Sequence, residues 1–374
     1  MLNNVNLSVG QPLKIRPVSS NDTSLYVSRI IALSKHTITI SSPYDAGRII
    51  LWPIGTRLEI DIQQEEALTF TSEIIDRDLT NNKSYTIMFP NSISKTGHRK
   101  HQAGMSRVIA VTSGKGGVGK TTFTINLAIA LAKQGQRVYI IDVDLGSANV
   151  DVLMRLTPKY NITHLLNGEK NLIEITLQGP ENIGIIPGGS GLQELTQLSE
   201  SQFSKFIHSF NQLEGLADII LLDTGAGISR DVSNFLLAAD EIIVVTTTEP
   251  HAIMDAYSIT KVMHKLNCKA KQMLIVNRVE DATEASIVSN RLISVIKSYL
   301  KTNIEYLGYI CDDRLVSRSI KEQNPLMMSY PSSVPAKNII SIANNLLNKP
   351  NTQQEGISGF IIKMMSIFKN KRAL

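Results

Sequence analysis

The stretch RVIAVTSGKGGVGKTTFTINLAIALAKQG, residues 107–135, decides the fold of the larger part of this chain. It starts with an apolar run typical of a buried strand and continues with a glycine-rich loop. It ends with apolar residues at helical spacing before a glycine. The pattern G-x-x-x-x-G-K-[ST] is met by Gly114, Gly119, Lys120 and Thr121. Because this pattern lies between a strand and a helix, it predicts a loop that binds the phosphates of a nucleotide.

The residues of this loop have separable chemical roles. Its backbone N–H groups converge on phosphate oxygens, and the N-terminus of the following helix adds positive partial charge. Lys120 neutralises the β- and γ-phosphates, and the Thr121 hydroxyl is a ligand of Mg²⁺. Lys115 is a second lysine, which the ordinary pattern does not require. The predicted nucleotide-binding residues of the loop are Gly114, Lys115, Gly116, Gly117, Val118, Gly119, Lys120, Thr121 and Thr122.

Further apolar runs alternate with helix-like segments after the loop. They read RVYIIDVD, ADIILLDTG, DEIIVVTTT and KQMLIVNRV. Strands that are apolar throughout are buried on both faces, which is typical of a parallel sheet. We therefore predict an α/β fold over residues 107–349, a P-loop NTPase whose mostly parallel sheet is covered by helices on both faces.

Three aspartates follow these predicted strands. Asp142 and Asp144 end one strand and Asp223 ends another. The carboxyl ends of parallel strands point into the ligand crevice, so these side chains join Thr121 in a predicted metal site. Asp223 would hold Mg²⁺ through water, and Asp144 would orient or activate the attacking water. Asp142 would position the loop or a water on Mg²⁺, and a helix cap or turn former is the alternative for each aspartate.

The remaining segments differ in character from this core. Residues 1–92 contain many short strands separated by turn residues, which predicts a small all-β, barrel-like domain. Residues 93–106 are polar and basic and form a predicted linker, in which His98 and His101 are better explained as solvated residues than as a metal pair. Residues 350–356 form a second spacer.

The bulk composition excludes several classes of protein. The chain has 374 residues, 43% hydrophobic and 19% charged, which is incompatible with wholesale disorder. Cys268 and Cys311 form no C-x-x-C pair, so neither a zinc site nor an iron–sulfur carrier is expected, and such sparse cysteine suits a reducing cytoplasm. The net charge of +5 is thinly spread and gives little support to a nucleic-acid partner. No secretory leader and no membrane-spanning run are expected.

Residues 357–374 predict an amphipathic helix with a basic end. A basic amphipathic helix behind a spacer suits the interface of a membrane, and a helix docked on its own domain is the alternative. Both hold if dimerisation releases a docked helix. The residues that we predict to enter the membrane are Ile357, Phe360, Ile361, Met364, Met365 and Phe368.

The motifs GKGGVGKTT, DVDLGSANVD and DTGAGIS resemble those of the deviant Walker A ATPases, the MinD/ParA group. Longer strings, among them IIPGGSGLQEL and TTTEPHAIMDAYS, resemble the FlhG branch (FleN/YlxH), which controls flagellar number and placement. The resemblance implies a slow, partner-stimulated ATP hydrolase with ATP and Mg²⁺ as cofactors. It also implies a homodimer with two ATP molecules between its subunits.

The resemblance also implies roles for individual residues. Lys115 would cross the dimer interface to the partner's nucleotide, so the predicted catalytic residues are Lys115, Lys120 and Asp144. Asn277 and Arg278 would contact the base. Pro250 and Asp255 would lie on the dimer and partner surface.

The N-terminal strands resemble the β domain of YcgR-type flagellar brake proteins. The RxxxR and D/N-x-S-x-x-G elements that read cyclic di-GMP are missing, so no cyclic di-GMP binding is predicted. The arginines of this domain form either a docking face or ordinary solvated strand edges: Arg16, Arg29, Arg48 and Arg57.

The predicted function is therefore an ATP-driven switch that associates with the membrane and regulates flagellar number, placement and assembly. It would be cytoplasmic and peripheral on the inner face of the cell membrane. Its expected partners are an FlhF-type GTPase and the switch or C-ring proteins of the flagellum, with no specific nucleic acid. A MinD-like division-site regulator and a ParA-like DNA-segregation ATPase are the alternatives, and the amphipathic tail argues against the second.

Overall fold

The chain folds into two compact units, Met1–Gln102 and Ala103–Leu374. The computed structural model describes residues 7–18, 26–34, 36–45, 48–62, 68–78, 80, 83–89, 94–95, 106–144, 149–188, 198–348 and 354–370. Several segments lie outside these ranges: most of the predicted linker, the start of the second spacer, the loop after Asp144, the stretch 189–197 and the basic residues 371–372. The predicted domain boundaries stay predictions.

The first unit is a small antiparallel barrel, which confirms the predicted class of fold. Its sheet runs in the order β6-β1-β2-β3-β8-β7, and the pairing of β6 with β7 closes it. A ninth strand extends β7 at one edge, and β4 and β5 form a separate pair. The strands are β1 (Pro12–Pro17), β2 (Tyr26–Leu33), β3 (Thr37–Ser41), β4 (Tyr44–Asp45), β5 (Arg48–Ile49), β6 (Arg57–Ile62), β7 (Leu68–Asp78), β8 (Ser84–Met88) and β9 (Ser94–Lys95).

The core of the barrel is set by alternation along its strands. On β2, Tyr26 and Ile30 are buried whereas Val27 and Arg29 are exposed, as a strand with one core face requires. Tyr85 is fully buried because its hydroxyl accepts a hydrogen bond from the Trp52 N–H at 2.8 Å and donates to the Ile50 carbonyl at 2.8 Å.

The second unit contains an eight-stranded sheet in the order β12-β13-β11-β14-β10-β15-β16-β17. All neighbouring strands are parallel except β12, which pairs antiparallel with β13. This arrangement confirms the prediction of a mostly parallel sheet. The strands are β10 (Arg107–Ser113), β11 (Val138–Asp142), β12 (Leu177–Gln178), β13 (Gly184–Ile186), β14 (Ile219–Ala226), β15 (Glu241–Thr246), β16 (Lys271–Val279) and β17 (Glu305–Cys311).

Helices cover both faces of this sheet. One core holds α1, α2, α10 and α11, and the other holds α3 to α8 together with α12. The helices are α1 (Lys120–Ala132), α2 (Val150–Leu153), α3 (Ile162–Leu166), α4 (Leu172–Ile175), α5 (Glu200–Ser209), α6 (Arg230–Ala238), α7 (Pro250–Lys265), α8 (Ala282–Leu300), α9 (Arg314–Lys321), α10 (Leu326–Ser329), α11 (Val334–Asn348) and α12 (Gly356–Asn370). Single 3₁₀ turns span Pro180–Asn182 and Phe210–Leu213.

Helix α12 is the predicted amphipathic tail, and its apolar face lies on its own domain. It packs against β10, α5, α6 and the 3₁₀ turn that follows α5. Ile357, Phe360, Ile361 and Met364 are buried, and the Phe368 ring stacks on that of Phe203 with centroids 3.9 Å apart. Of the two interpretations of the tail, the docked one is therefore observed, while membrane binding stays a prediction. None of the helices described is long and apolar enough to cross a bilayer.

Candidate nucleotide-binding site

The glycine loop joins the end of β10 to the start of α1, as the sequence predicts. Gly119 precedes the helix with a φ of 94°, a left-handed conformation that favours glycine. A Cβ on Gly119 would lie 2.5 Å from the Asn277 amide nitrogen, and one on Gly114 would lie 2.3 Å from the Asp255 Cβ. The loop is therefore packed closely against β16 and α7, and a side chain at either glycine would displace it.

Asp223 is the centre of the polar contacts beneath the loop. Its carboxylate accepts hydrogen bonds from Lys120 Nζ at 3.2 Å, Thr121 Oγ1 at 2.7 Å and Thr124 Oγ1 at 3.0 Å. Lys120 and Asp223 are both buried, whereas Thr121 is partly exposed. A hydroxyl and a carboxylate side by side form an oxygen donor set of the kind that Mg²⁺ prefers, so these residues fit the predicted metal. Thr124 was not foreseen, because its position one turn along α1 carries no motif.

Asp142 is held by backbone groups. Its oxygens accept hydrogen bonds from the N–H groups of Asp144 at 3.1 Å, Asn149 at 3.0 Å and Val150 at 3.2 Å. Burial, and then the negative charge of Asp223, raises the pKa of Asp142 to about 7, against the effect of these three bonds. These contacts favour the role of positioning the loop before α2, and direct participation in the metal site stays a prediction.

Asp144 lies beside Gly225, near the end of β14. Its Oδ1 is 3.4 Å from the position that a Cβ would take on Gly225. The two strand ends that were predicted to meet are therefore adjacent, since β11 pairs with β14 and Asp142 stands opposite Asp223. Action of Asp144 on a water near the phosphates stays a prediction.

Lys115 differs from Lys120 in its surroundings. Its side chain is 49% exposed, and its Nζ lies 3.0 Å from Glu249 Oε2 at the start of α7. The hydrogen bond and charge of Lys115 lower the pKa of Glu249. Glu249 was not predicted from the sequence, and its only signal was an acidic residue immediately before the helix-starting Pro250.

A cavity of about 290 Å³ adjoins the loop. Asn277 and Arg278, the residues predicted to contact a base, line it, and so do Cys311 and Asp312 at the end of β17. The Asn277 amide donates a hydrogen bond to the Val118 carbonyl at 2.7 Å, so one of its N–H groups braces the phosphate loop. Contact of Asn277 and Arg278 with a base stays a prediction.

The surface around Gly114 carries exposed apolar residues that the sequence patterns did not indicate. Pro250 is exposed, while Asp255 packs on Gly114. Ile228 and Met254 are 47% and 62% exposed, and each is next in sequence to a residue that lies against Gly114. Large exposed apolar side chains beside a ligand site are typical of a contact surface.

A glycine loop between a strand and a helix, with a buried aspartate at the end of the neighbouring strand, defines the class of P-loop nucleotide hydrolases. A family model described as "AAA domain" matches residues 106–276, and one described as "Flagellar protein YcgR" matches residues 8–90. These two matches fall on the two structural units.

Similarities to individual proteins indicate a family within this class. The antiactivator FleN of Pseudomonas aeruginosa is 37% identical over 61% of this chain and 81% of FleN. The flagellum site-determining protein YlxH of Helicobacter pylori is 36% identical over 70% of this chain and 90% of YlxH. The solved structure of the septum site-determining protein MinD of Pyrococcus horikoshii, complexed with Mg-ADP, has a TM-score of 0.52 and 26% identity, over 65% of this chain and 96% of that one.

The chain belongs to the MinD/ParA family of P-loop ATPases, in its FlhG branch with FleN and YlxH. It is an ATP hydrolase whose cofactors are ATP and Mg²⁺.

Proposed function

We propose that this ATPase is a switch that dimerises with ATP, associates with the inner face of the cell membrane and regulates flagellar number, placement and assembly. The main observation in support of this switch is the position of Lys115. Its exposed ammonium group is bonded to Glu249 and not to Asp223, where Lys120 lies. On the rim of the loop, this cation could exchange its exposed contact with Glu249 for a second molecule, where it would add positive charge to the partner's phosphates.

The surroundings of Lys115 support a dimer face. Ile228, Met254 and Pro250 are exposed near the loop, so association would bury apolar surface as well as charge. Two phosphate chains brought together would repel each other without intervening cations. A lysine from each subunit would remove this repulsion, which makes association depend on the bound ATP.

Helix α12 supports the membrane step. Its buried side chains are apolar, and in the docked position the helix covers part of β10 and α5. A single short amphipathic helix binds lipid weakly, but two helices on one dimer bind by avidity. ATP-driven dimerisation would release the docked helices and present both to the bilayer.

The flagellar output rests on both units. The ATPase unit resembles two proteins with flagellar names or roles, YlxH and FleN, and the barrel matches a family model for a flagellar protein. The barrel is a candidate docking module for the proposed FlhF-type GTPase or for switch and C-ring proteins. Arg16 is already bonded to Glu59 at 2.7 Å, so it contributes less free charge to a docking face than its sequence suggested.

Deletion of the gene, followed by counting of flagella and septa by microscopy, tests the flagellar output. We expect an altered number or position of flagella with normal septa. Misplaced septa with normal flagella would favour a division-site role, for which MinD relatives of 27% to 34% identity give the precedent. Chromosome loss with normal flagella would favour DNA segregation.

A further inference from the structure

The start of helix α12 is fastened to the sheet by a buried carboxylate. Asp240 lies between α6 and β15 and is 4% exposed. Its Oδ2 accepts a hydrogen bond from the Val108 N–H of β10 at 3.1 Å, and its Oδ1 accepts one from the Glu355 N–H at 2.9 Å. The Gly356 N–H also points to this carboxylate. Asp240 therefore joins the first residues of α12 to the central strand of the sheet.

A second polar contact lies at the same end of the helix. Lys363 Nζ is 3.1 Å from Glu355 Oε1, and the positive charge of Lys363 also acts on Asp240. Burial raises the pKa of Asp240, while the three N–H groups and Lys363 act in the opposite direction. The carboxylate and the helix start thus stabilise each other, because a buried charge without donors is costly and the first N–H groups of a helix lack partners.

The apolar face of α12 cannot by itself decide where the helix lies. Ile357, Phe360 and Met364 leave water when they enter the groove, and they leave water again when they enter lipid. These contributions largely cancel when the two bound positions are compared. The contacts that exist in only one of the two positions then set the balance. In the groove, the polar contacts of this kind are the bonds at Asp240 and Glu355.

We propose that Asp240 is a latch that holds α12 in its groove and sets how readily the helix moves to a lipid surface. Only the part of this inference that concerns lipid binding rests on the proposed membrane function. Docking of α12 is observed, so the restraint on the docked helix is measurable without lipid, nucleotide or partner.

The test uses three full-length variants. Glu355→Pro removes the N–H that Asp240 accepts, and proline is tolerated at a helix start. Glu355→Ala is the matched control, because it removes the ion pair with Lys363 but keeps that N–H. Asp240→Asn removes the charge and leaves one acceptor oxygen for three N–H donors. If Asp240→Asn fails to fold, Glu355→Pro decides, because it leaves the bond to Val108 intact.

Hydrogen exchange of residues 356–370, read by mass spectrometry in the lipid-free monomer, reports the restraint. We expect about tenfold faster exchange in Glu355→Pro and in Asp240→Asn than in Glu355→Ala, the loss of one hydrogen bond to a charged group. Exchange in β15 and ATP affinity should stay unchanged. Equal exchange rates in Glu355→Pro and Glu355→Ala would overturn the latch.

Sedimentation with phosphatidylcholine vesicles that contain phosphatidylglycerol measures how readily α12 moves to a lipid surface. We expect several times more vesicle-bound protein for Glu355→Pro than for Glu355→Ala. Faster exchange without any vesicle binding, in variants and wild type alike, would overturn the membrane function while leaving the latch intact. Exchange in Glu355→Pro that is as slow as in Glu355→Ala, together with normal vesicle binding by the wild type, would overturn the latch but not the membrane function.

Discussion

Two lysines five residues apart, Lys115 and Lys120, have different expected roles because their surroundings differ. Lys120 is buried on Asp223, whereas Lys115 is exposed on Glu249. We expect Lys115→Ala to keep ATP binding, since Lys120 and the backbone cradle remain, and to lose ATP-driven dimerisation. Turnover should fall by about 10² or more, the scale of removing one group that stabilises developing charge.

Light scattering with ATP and Mg²⁺ measures the mass of this variant, and phosphate release measures its turnover. Lys133→Ala is a control, since Lys133 lies at the far end of α1, where its Nζ donates to the Met327 carbonyl. Normal dimers and normal turnover in Lys115→Ala would reduce Lys115 to an ordinary loop residue.

The raised pKa of Asp142 predicts a pH-dependent contribution to the stability of the nucleotide-free protein. Its pKa in the folded state, about 7, lies above its ordinary value of 3.8, so the folded state binds more protons than the unfolded state between these values. The contribution of Asp142 to the free energy of unfolding therefore falls as pH rises from about 4 to about 7. The scale is about 1.4 kcal/mol for each pH unit by which the pKa is displaced.

Asp142→Asn removes this titration. We expect the difference in stability between variant and wild type to move in favour of the variant as pH rises through this window. Urea unfolding at a series of pH values, with chelator and without nucleotide, measures it. A difference that stays constant from pH 4 to pH 8 would contradict the raised pKa.

At the scale of elements, removal of α12 tests its two interpretations, a helix that binds the membrane and a helix that stabilises its own domain. We expect a chain without residues 357–374 to lose vesicle binding in the presence of ATP. It should also be less stable, because Phe203 and Phe235 lose the aromatic contacts that Phe368 and Phe360 make. Vesicle sedimentation and thermal unfolding of both chains measure these effects. Equal vesicle binding by the two chains would remove the tail from the membrane step.

The order of strands and helices in the ATPase unit was predictable because its signals are local. Continuous apolar runs mark the parallel strands, and the glycine loop marks the junction of β10 with α1. The contacts between residues that are distant in sequence were not predictable. An amphipathic pattern shows that α12 has an apolar face but not which surface covers it. In the same way, the sequence shows an amide at Asn277 near the end of β16 but not its bond to the Val118 carbonyl.

The same limit applies to paired charges. Glu249 and Asp240 are ordinary acidic residues in the sequence, and only the folded chain brings them to Lys115 and to the start of α12. Motifs therefore indicated the residues that are expected to contact the phosphates. The residues that hold those groups in place required the structure.

At the scale of the whole molecule, the proposal requires that a bound triphosphate joins two copies of the chain. Asp144→Ala should slow hydrolysis, because Asp144 is the carboxylate that we expect to act on the attacking water. The loop and Asp223, the residues expected to bind ATP and Mg²⁺, stay intact in this variant. With turnover blocked, the dimer should accumulate. We expect twice the monomer mass with ATP and Mg²⁺, and the monomer mass with ADP.

The double variant Lys115→Ala with Asp144→Ala is the matched control for this measurement. It keeps the block on hydrolysis but removes the cation that would bridge the two subunits, so it should stay monomeric with ATP. If Asp144→Ala binds ATP and also stays monomeric, at concentrations well above those in the cell, nucleotide-driven pairing of subunits is wrong. Membrane binding by paired α12 helices would then lose its physical basis, since one helix alone binds lipid weakly.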